Sequence, residues 1–287
     1  MSYKIITDSC CDLTNEWIAK LNISVVPLNM LFKGETRQDS VSDGIKEVYQ
    51  ALREGEVAST SAVNPETWAN YIEPVLKDGQ DVLVLAFSSG LSTTYQSAVI
   101  AANDLMEKYP DRKVNVVDTL CASLGQGLLT IHTCAKRDEG LSLEELTAWV
   151  EENKLHLCHW FTVDDLMYLK RGGRVSAATA LVGTVLKIKP ILHVDDEGHL
   201  ISIGKVRGRK AAIENLAERT AKSFIPGKNK FMAICHGDCL EDAEYLAALL
   251  KEKTEAEEVF IGYTGAVIGS HSGPGTLAAF FLGEARK

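Results

Sequence analysis

Several features that define common classes of protein are missing from this chain of 287 residues. No window approaches 18 consecutive apolar residues, so the sequence predicts no membrane-spanning helix. Basic residues do not predominate, since 30 lysines and arginines stand against 39 aspartates and glutamates, a net charge of -9. General binding to nucleic acid or to an anionic membrane requires a basic surface, so this balance argues against both.

The Gly-Lys-Ser/Thr triplet of a P-loop is also missing, so nothing predicts nucleotide binding. Residues 156–159 and 235–239 contain histidine and cysteine but no Cys-x-x-Cys pair, and we expect neither a metal nor another cofactor. The seven cysteines are an odd number spread over a long chain. Because the N-terminal residues show no apolar signal region either, we expect a reduced, cytoplasmic protein.

Short β-rich runs alternate with longer helical patterns in a composition that is 46% hydrophobic and 24% charged. Residues 3–7, 81–87 and 114–117 are mostly apolar rather than alternating, which is typical of buried strands in a parallel sheet. Asn64 with Pro65 predicts a helix start, and Ser142 predicts another through a capping box. These elements predict an α/β architecture in which helices flank a mainly parallel sheet.

The pattern changes after a further predicted strand over residues 155–163. A turn at residues 195–198 predicts a hairpin, an apolar run predicts a helix at 177–186, and a second α/β unit follows from about residue 210 to residue 263. We therefore predict two α/β domains, an N-terminal one over residues 1–160 and a C-terminal one over residues 161–287. No low-complexity linker separates them, so we expect close packing around a shared cleft.

Two hydroxyl-rich segments precede predicted helices. In residues 87–98, Ser92 lies at or near the N-cap, where backbone N–H groups and the helix dipole favour a bound anion. Thr60 and Ser61 lie just before the helix that starts at Pro65. If both segments follow strands of one sheet, they converge where open α/β sheets bind ligands. The simpler interpretation is that these hydroxyls only cap helices and form turns.

Two further segments carry groups suited to an anionic ligand. His271 lies among glycines and serines in residues 268–276, so it can approach a ligand closely and donate to a carboxylate or phosphate. Arg171 and Arg174 flank two glycines, and a guanidinium group binds carboxylate or phosphate with two parallel hydrogen bonds. A structural histidine and a helix C-terminus with basic residues near its dipole are the simpler alternatives.

Taken together, these motifs resemble the DegV family over essentially the whole chain. They are, in order, Thr7-Asp8-Ser9, Thr60-Ser61, Ser88 to Ser92 with Thr94 to Ala98, Leu169 to Arg174, Lys189 to Leu192, His236-Gly237-Asp238 and Gly269 to Gly275. The resemblance implies a two-domain α/β fold with a long-chain fatty acid in a tunnel between the domains. It also implies a bacterial lipid-binding subunit without catalysis of its own, which presents the carboxylate to a separate ATP-dependent kinase subunit that makes an acyl-phosphate.

The same resemblance implies roles for individual residues. The carboxylate would be bound by Thr60, Ser61, Ser92 and His271. Arg171 and Arg174 would lie near the exit, where phosphoryl transfer and partner docking occur.

The charge distribution adds a second docking hypothesis. Residues 170–210, named the basic segment below, contain nine lysines and arginines against three acidic residues, a net charge of +6 that leaves -15 for the rest of the chain. Such a segment favours a local basic face. We expect Arg207 and Arg209 to face the kinase partner, or the surface of a membrane during a transient contact.

Two other classes of function stay open at this point. A serine hydrolase would use Ser92 as nucleophile, His271 as base and Asp8 as orienting acid, although no Gly-x-Ser-x-Gly motif surrounds Ser92. A regulatory protein or nucleic-acid adaptor would bind its partner through the basic segment. Covalent labelling by a fluorophosphonate distinguishes the hydrolase, and salt-dependent retention of DNA distinguishes the adaptor.

Overall fold

The computed structural model describes residues 2–42, 44–176 and 187–286. Its strands are β1 (Tyr3–Asp8), β2 (Ser24–Val26), β3 (Asn29–Phe32), β4 (Glu35–Gln38), β5 (Ser59–Ser61), β6 (Asp81–Ala86), β7 (Val114–Asp118), β8 (Leu157–Thr162), β9 (Ile188–Val194), β10 (Leu200–Arg207), β11 (Phe231–His236), β12 (Glu258–Tyr263) and β13 (Leu277–Leu282).

The α-helices lie between these strands. They are α1 (Asn15–Leu21), α2 (Ile45–Arg53), α3 (Pro65–Lys77), α4 (Thr94–Lys108), α5 (Leu124–Asp138), α6 (Leu143–Asn153), α7 (Met167–Arg171), α8 (Arg209–Ser223), α9 (Leu240–Lys253) and α10 (Ala266–Ser272), with short 3-10 helices at Ser9–Cys11 and Lys154–His156. The helix predicted at 177–186 lies outside the described residues. No helix in the described part of the chain is both long and apolar enough to cross a membrane.

The first sheet is parallel and has the strand order β2-β1-β6-β7. Alternate residues of its strands enter two different cores. Ile5 and Leu83 pack on the side of α5 and α6, whereas Ile6 and Val84 pack on the side of α3 and α4. Helices therefore cover both faces, as they do in most parallel sheets, and the predicted parallel sheet flanked by helices is confirmed.

The predicted helix starts are also confirmed by their caps. The Asn64 side chain accepts a hydrogen bond from the backbone N–H of Thr67 at 2.7 Å, and Pro65 occupies the first position of α3. Ser142 and Glu145 form the reciprocal capping box at the start of α6. Each cap satisfies N–H groups that have no partner within the helix, so these boundaries follow from local sequence.

The largest sheet has six strands in the order β10-β9-β8-β13-β11-β12. Only the β11–β12 pair is parallel among these strand pairs. The predicted hairpin is confirmed as β9 and β10, which pair on either side of the turn at residues 195–198. Helices α8 and α9 cover one face of this sheet, and the other face packs against α5, which joins it to the first sheet.

Strand β8 belongs to the six-stranded sheet, where it pairs with β13 and β9. It spans the residues at which the sequence divides the chain into domains, 1–160 and 161–287. That division stays a prediction.

A third, three-stranded sheet corrects one expectation from the sequence. Thr60 and Ser61 were expected to converge with Ser92 if both hydroxyl-rich segments followed strands of one sheet, but Ser59–Ser61 is itself strand β5, which pairs antiparallel with β3. The strand order is β4-β3-β5. A strand of three hydroxyl residues has no apolar alternation, so only its pairing with β3 identifies it.

Candidate functional site

A cavity of about 430 Å³ lies between the carboxyl ends of the parallel strands and the inner face of the six-stranded sheet. One wall includes Leu28 after β2, Phe87 after β6 and Ala122 after β7. The opposite wall includes Ala278 and Phe280, which alternate along β13. The volume is within the usual range for small-molecule sites. The lining surface is largely apolar and also contains hydroxyl, imidazole and guanidinium side chains.

Five of the polar lining residues are named the polar cluster, and they are Thr60, Ser61, Ser92, Arg174 and His271. Thr60 Oγ1 lies 2.7 Å from His271 Nε2. Strand β5 positions the threonine and helix α10 positions the histidine, so this hydrogen bond joins residues that are 211 positions apart. Ser61 follows Thr60 on β5 and also lines the cavity.

Ser92 contributes both to the cavity wall and to a helix start. Its Oγ accepts a hydrogen bond from the backbone N–H of Thr94, the first residue of α4, at 3.2 Å, and lies 2.9 Å from Thr94 Oγ1. The structural and the ligand-binding interpretations of this serine are therefore compatible. The N–H group orients the oxygen, and the hydroxyl proton can be donated to a ligand.

Arg174 lies in the cavity wall. Its Nε donates to the Leu91 carbonyl oxygen at 3.1 Å, and its Nη1 donates to the Gly172 carbonyl oxygen. No carboxylate in the described residues forms a salt bridge with it. A guanidinium group that is partly removed from water and bonded to carbonyl oxygens favours an anion in the adjacent space.

Burial changes the protonation of His271. Burial, and to a smaller extent the positive charge of Arg174, together lower the pKa of the imidazole to about 4. His271 is therefore neutral at pH 7, and only one ring nitrogen carries a proton. The neutral ring can donate or accept a hydrogen bond, as it does with Thr60. It adds no positive charge to the cavity beyond that of Arg174.

The lowered pKa of His271 predicts that this residue makes the stability of the protein depend on pH. A histidine whose pKa falls from 6.5 unfolded to about 4 folded binds fewer protons in the native state, so its contribution to stability rises with pH between those values. We expect the free energy of unfolding of the wild type, relative to the His271→Gln variant, to rise by about 3 kcal/mol over that window. Urea unfolding of the ligand-free proteins measures it, and a difference that does not change with pH would contradict the pKa.

The side chains of Ser92, His271 and Asp8 do not form the catalytic triad that a serine hydrolase would need. Asp8 accepts hydrogen bonds from the backbone N–H groups of Phe87 at 2.7 Å and Cys10 at 3.0 Å, which fixes its carboxylate beneath the first sheet's loops. Burial raises the pKa of Asp8 to about 7. Within the described part of the chain, the ring of His271 is hydrogen-bonded to Thr60 and no acidic side chain forms a salt bridge with it. The orienting acid that a triad needs is therefore not in place.

The arginines of the basic segment occupy different environments. Arg171 stacks over the Tyr168 ring at 5.3 Å. Arg207 is exposed at the end of the edge strand β10. Arg209, which the sequence places on an open basic face, instead lies in ion pairs with Asp242 at 2.8 Å and Asp164 at 3.5 Å, so most of its charge is neutralised within the chain.

Some cavity residues were not predicted as functional. The most informative is His159, which the sequence suggests is structural or on the surface, but which lines the cavity from β8. Its Nε2 accepts from the backbone N–H of Ala122 at 3.2 Å, so Nδ1 carries the proton and donates to the Leu157 carbonyl oxygen at 3.1 Å. Burial holds its pKa well below the usual range, so the ring is neutral. Strand β8 was predicted, and residues two apart in a strand share a face, so His159 lies on the same face as Phe161, which also lines the cavity.

The fold and the cavity define a mixed α/β protein with a largely apolar cavity whose wall includes the polar cluster. No group of three or more histidine, cysteine, aspartate or glutamate side chains in residues 2–42, 44–176 and 187–286 is arranged to hold a metal ion.

Comparison with known proteins gives the family. A family model described as an uncharacterised protein of the DegV family matches residues 2–284. A DegV domain-containing protein of Clostridium perfringens is 43% identical in an alignment of 287 positions that covers 99% of each chain. The chain therefore belongs to the DegV family, as its motifs predict.

Two solved structures are similar over almost the whole chain. A DegV family protein from Thermus thermophilus, reported for its fatty acid binding, is 33% identical with a TM-score of 0.87 and matches 99% of this chain and 100% of its own. A DegV lipid-binding protein from Thermotoga maritima is 32% identical with a TM-score of 0.86, and the match covers 100% of both chains. The two-domain α/β fold predicted from the sequence is confirmed.

Proposed function

We propose that this protein binds a long-chain fatty acid in the cavity, with the carboxylate at the polar cluster and the acyl chain along the apolar walls. The observation that carries the proposal is the combination of a largely apolar cavity with hydroxyls, an imidazole and an arginine in its wall, where Thr60 Oγ1 lies 2.7 Å from His271 Nε2. The fatty acid and lipid binding reported for the Thermus and Thermotoga relatives supports it.

The energetics agree with that orientation. A buried carboxylate is unfavourable unless hydrogen-bond donors meet it, and the polar cluster supplies neutral donors together with one guanidinium group. An acyl chain with about 14 buried methylenes contributes roughly 11 kcal/mol before ordering costs. The acyl chain therefore supplies most of the affinity, and the polar cluster sets the direction in which the ligand lies.

The corresponding role is that of a lipid-binding subunit. In this role the chain holds the fatty acid and presents its carboxylate to a separate kinase subunit, which brings ATP and forms the acyl-phosphate. The chain contributes no catalysis of its own. The absence of a P-loop triplet from the sequence and the position of Asp8 away from His271 both support a binding role.

Mass spectrometry of organic extracts from the purified protein tests the binding function. We expect about one fatty acid per chain, either as purified or after incubation with a fatty-acid mixture. Recovery of none from both preparations would refute the proposal. Labelling of Ser92 by a fluorophosphonate, detected in the same samples, would instead support the hydrolase.

The exposed end of β10 gives a prediction about the kinase partner. Lys205 and Arg207 are both exposed on this edge strand. Reversing both charges with Lys205→Glu and Arg207→Glu is expected to lower the rate of acyl-phosphate formation with an ATP-dependent kinase subunit about tenfold, because complementary charges accelerate association. Fatty-acid retention is expected to stay unchanged. Arg209 is left intact because its replacement would break the ion pairs with Asp164 and Asp242.

A matched control reverses Lys222 and Lys228, which are exposed near the end of α8 and before β11 and form no salt bridge in the described part of the chain. If the control lowers the rate as much as the β10 variant does, net charge rather than this surface is responsible. An unchanged rate in the β10 variant would contradict the docking hypothesis.

A further inference from the structure

Helix α10, which carries His271, begins without a side-chain cap of its own. Its N-cap residue is Gly265, which offers no side-chain acceptor to the first N–H groups of the helix. A residue from a distant part of the chain supplies one instead. Asp39 Oδ1 accepts a hydrogen bond from the backbone N–H of Val267 at 2.9 Å, across 228 positions of sequence. The Asp39 side chain therefore takes the place of the missing cap.

Asp39 is also attached to the three-stranded sheet. It directly follows β4, and its backbone N–H donates to the carbonyl oxygen of Leu28, just before β3, at 2.9 Å. Its Oδ2 accepts from Ser9 Oγ at 2.8 Å, and that oxygen accepts in turn from the backbone N–H of Leu28 at 3.0 Å. The next residue, Ser40, adds a backbone hydrogen bond from Ala266 N–H at 3.3 Å. One carboxylate thus connects the start of α10 with the start of β3.

The two elements that Asp39 connects carry the two partners of the hydrogen bond in the polar cluster. Strand β3 pairs with β5, where Met30 lies opposite Thr60. Helix α10 packs on β3, with Ser270 Oγ 3.1 Å from Met30 Sδ. Thr60 on β5 and His271 on α10 then meet at 2.7 Å. A shift of α10 relative to this sheet would change that distance directly.

The carboxylate of Asp39 is charged at neutral pH. Burial raises its pKa to about 6, and hydrogen bonds from Val267 and Ser9 oppose that rise. In residues 2–42, 44–176 and 187–286, no lysine or arginine forms a salt bridge with it. Its charge is stabilised by N–H and O–H donors, and hydrogen bonds to an ionised acceptor are stronger than neutral ones. Breaking the connection to α10 is therefore unfavourable.

We propose that Asp39 is a positioning residue for the carboxylate site, because it holds the start of α10 to the three-stranded sheet and so keeps His271 at hydrogen-bonding distance from Thr60. The inference rests on the proposed function, since it concerns the same site. Asp39 is not among the residues that line the cavity, so its effect on the ligand passes through α10. The part of the ligand that it affects is the carboxylate rather than the acyl chain.

The test is a double-mutant cycle between Asp39 and Thr60, measured as dissociation constants for one saturated fatty acid at neutral pH. Asp39→Ala is expected to weaken binding about tenfold, because the donors to the carboxylate are no longer aligned. In a Thr60→Val background the pair to be positioned is absent, and the same substitution should change the affinity by less than about twofold. An equal loss in both backgrounds would show a general structural role and would overturn the inference.

The methyl ester of the same acid has no carboxylate, so Asp39→Ala should change its affinity by less than about twofold. A loss for the ester as large as that for the acid would also overturn the inference. The matched control is Ser142→Ala, which removes a comparable cap from α6, a helix with no residue in the cavity lining. It should lower the thermal stability and leave the affinity for the acid unchanged.

If Asp39→Ala does not fold, Ser9→Ala decides the question. It removes the donor to Asp39 Oδ2 and should weaken binding of the acid about threefold when Thr60 is present, but not in the Thr60→Val background. Wild-type affinity in the folded Asp39 and Ser9 variants would contradict the inference while leaving fatty-acid binding intact. Failure of the wild type to bind the acid would instead refute the proposed function, and the inference with it.

Discussion

Replacing Ala278 with phenylalanine is expected to lower the affinity for a long-chain fatty acid about a hundredfold or more while the protein stays folded. Ala278 lies on the central strand β13 with its side chain in the cavity wall, between Phe161 of β8 and Cys235 of β11. A benzyl group there occupies the space of about four methylenes. Excluding them removes about 3 kcal/mol of binding free energy. The cavity accommodates the new ring, so overpacking strain is limited.

A graded series separates blocking from unfolding. Ala278→Val and Ala278→Leu should reduce affinity progressively, and acids of about ten carbons should be less affected than acids of about 18, because fewer of their methylenes pass the ring. Isothermal titration and thermal unfolding on the same samples measure both quantities. Unchanged affinity in a folded Ala278→Phe variant would show that the acyl chain lies elsewhere.

Replacing Ser92 with alanine is expected to weaken fatty-acid binding by about 10- to 100-fold without unfolding the protein. A hydrogen bond to a charged group contributes about 1.5 to 3 kcal/mol, and here the carboxylate would be enclosed in the cavity. The backbone N–H of Thr94 loses its acceptor at the same time, which costs some stability at the start of α4. The loss should be similar for acids of different length, since it concerns the carboxylate.

The matched control is Ser97→Ala, one turn further along α4 and outside the cavity lining. It should leave affinity unchanged. Equal retention of fatty acid by Ser92→Ala and the wild type would remove Ser92 from the carboxylate site. A loss that grows with acyl length would point to a change in the apolar wall instead.

The charged residues of the basic segment are close in sequence but lie in different environments in the structure. Arg174 lies in the cavity wall, Arg209 is neutralised by two aspartates, and Arg207 is exposed on an edge strand. A single net charge of +6 therefore does not describe one surface. The distinction matters for experiments, because only replacement of the exposed residues tests docking without altering the cavity or the ion pairs.

Local signals in the sequence were sufficient for several elements. The caps at Asn64 and Ser142 and the turn at residues 195–198 depend on neighbouring residues, and each lies where it was predicted. Strand β13 was not predicted, although residues 277–282 are nearly all buried and lie between β8 and β11. A continuously apolar run does not by itself distinguish a central strand from another buried segment.

The candidate site likewise contains residues that could be predicted from the sequence and contacts that could not. Thr60, Ser92 and His271 could be predicted because hydroxyls before helix starts and a histidine among glycines suit an anionic ligand. The sequence did not indicate that β5 pairs with β3 or that Thr60 lies 2.7 Å from His271. Nor did it indicate that Arg286 is buried, since an arginine near the end of the described chain is expected at the surface.

By itself, the sequence determined the family, the α/β class, the capped helices and the chemical types in the polar cluster, because these depend on residue identity and short-range spacing. The tertiary structure alone decided which of those groups share one cavity and which residues form its apolar wall. Ala278 lines the cavity because β13 lies between β8 and β11, and Arg286 donates to the carbonyl oxygens of Leu120, Leu157 and Asp195 because the chain returns across them. The contacts of Arg286 join residues that are 91 to 166 positions apart, and no local pattern encodes them.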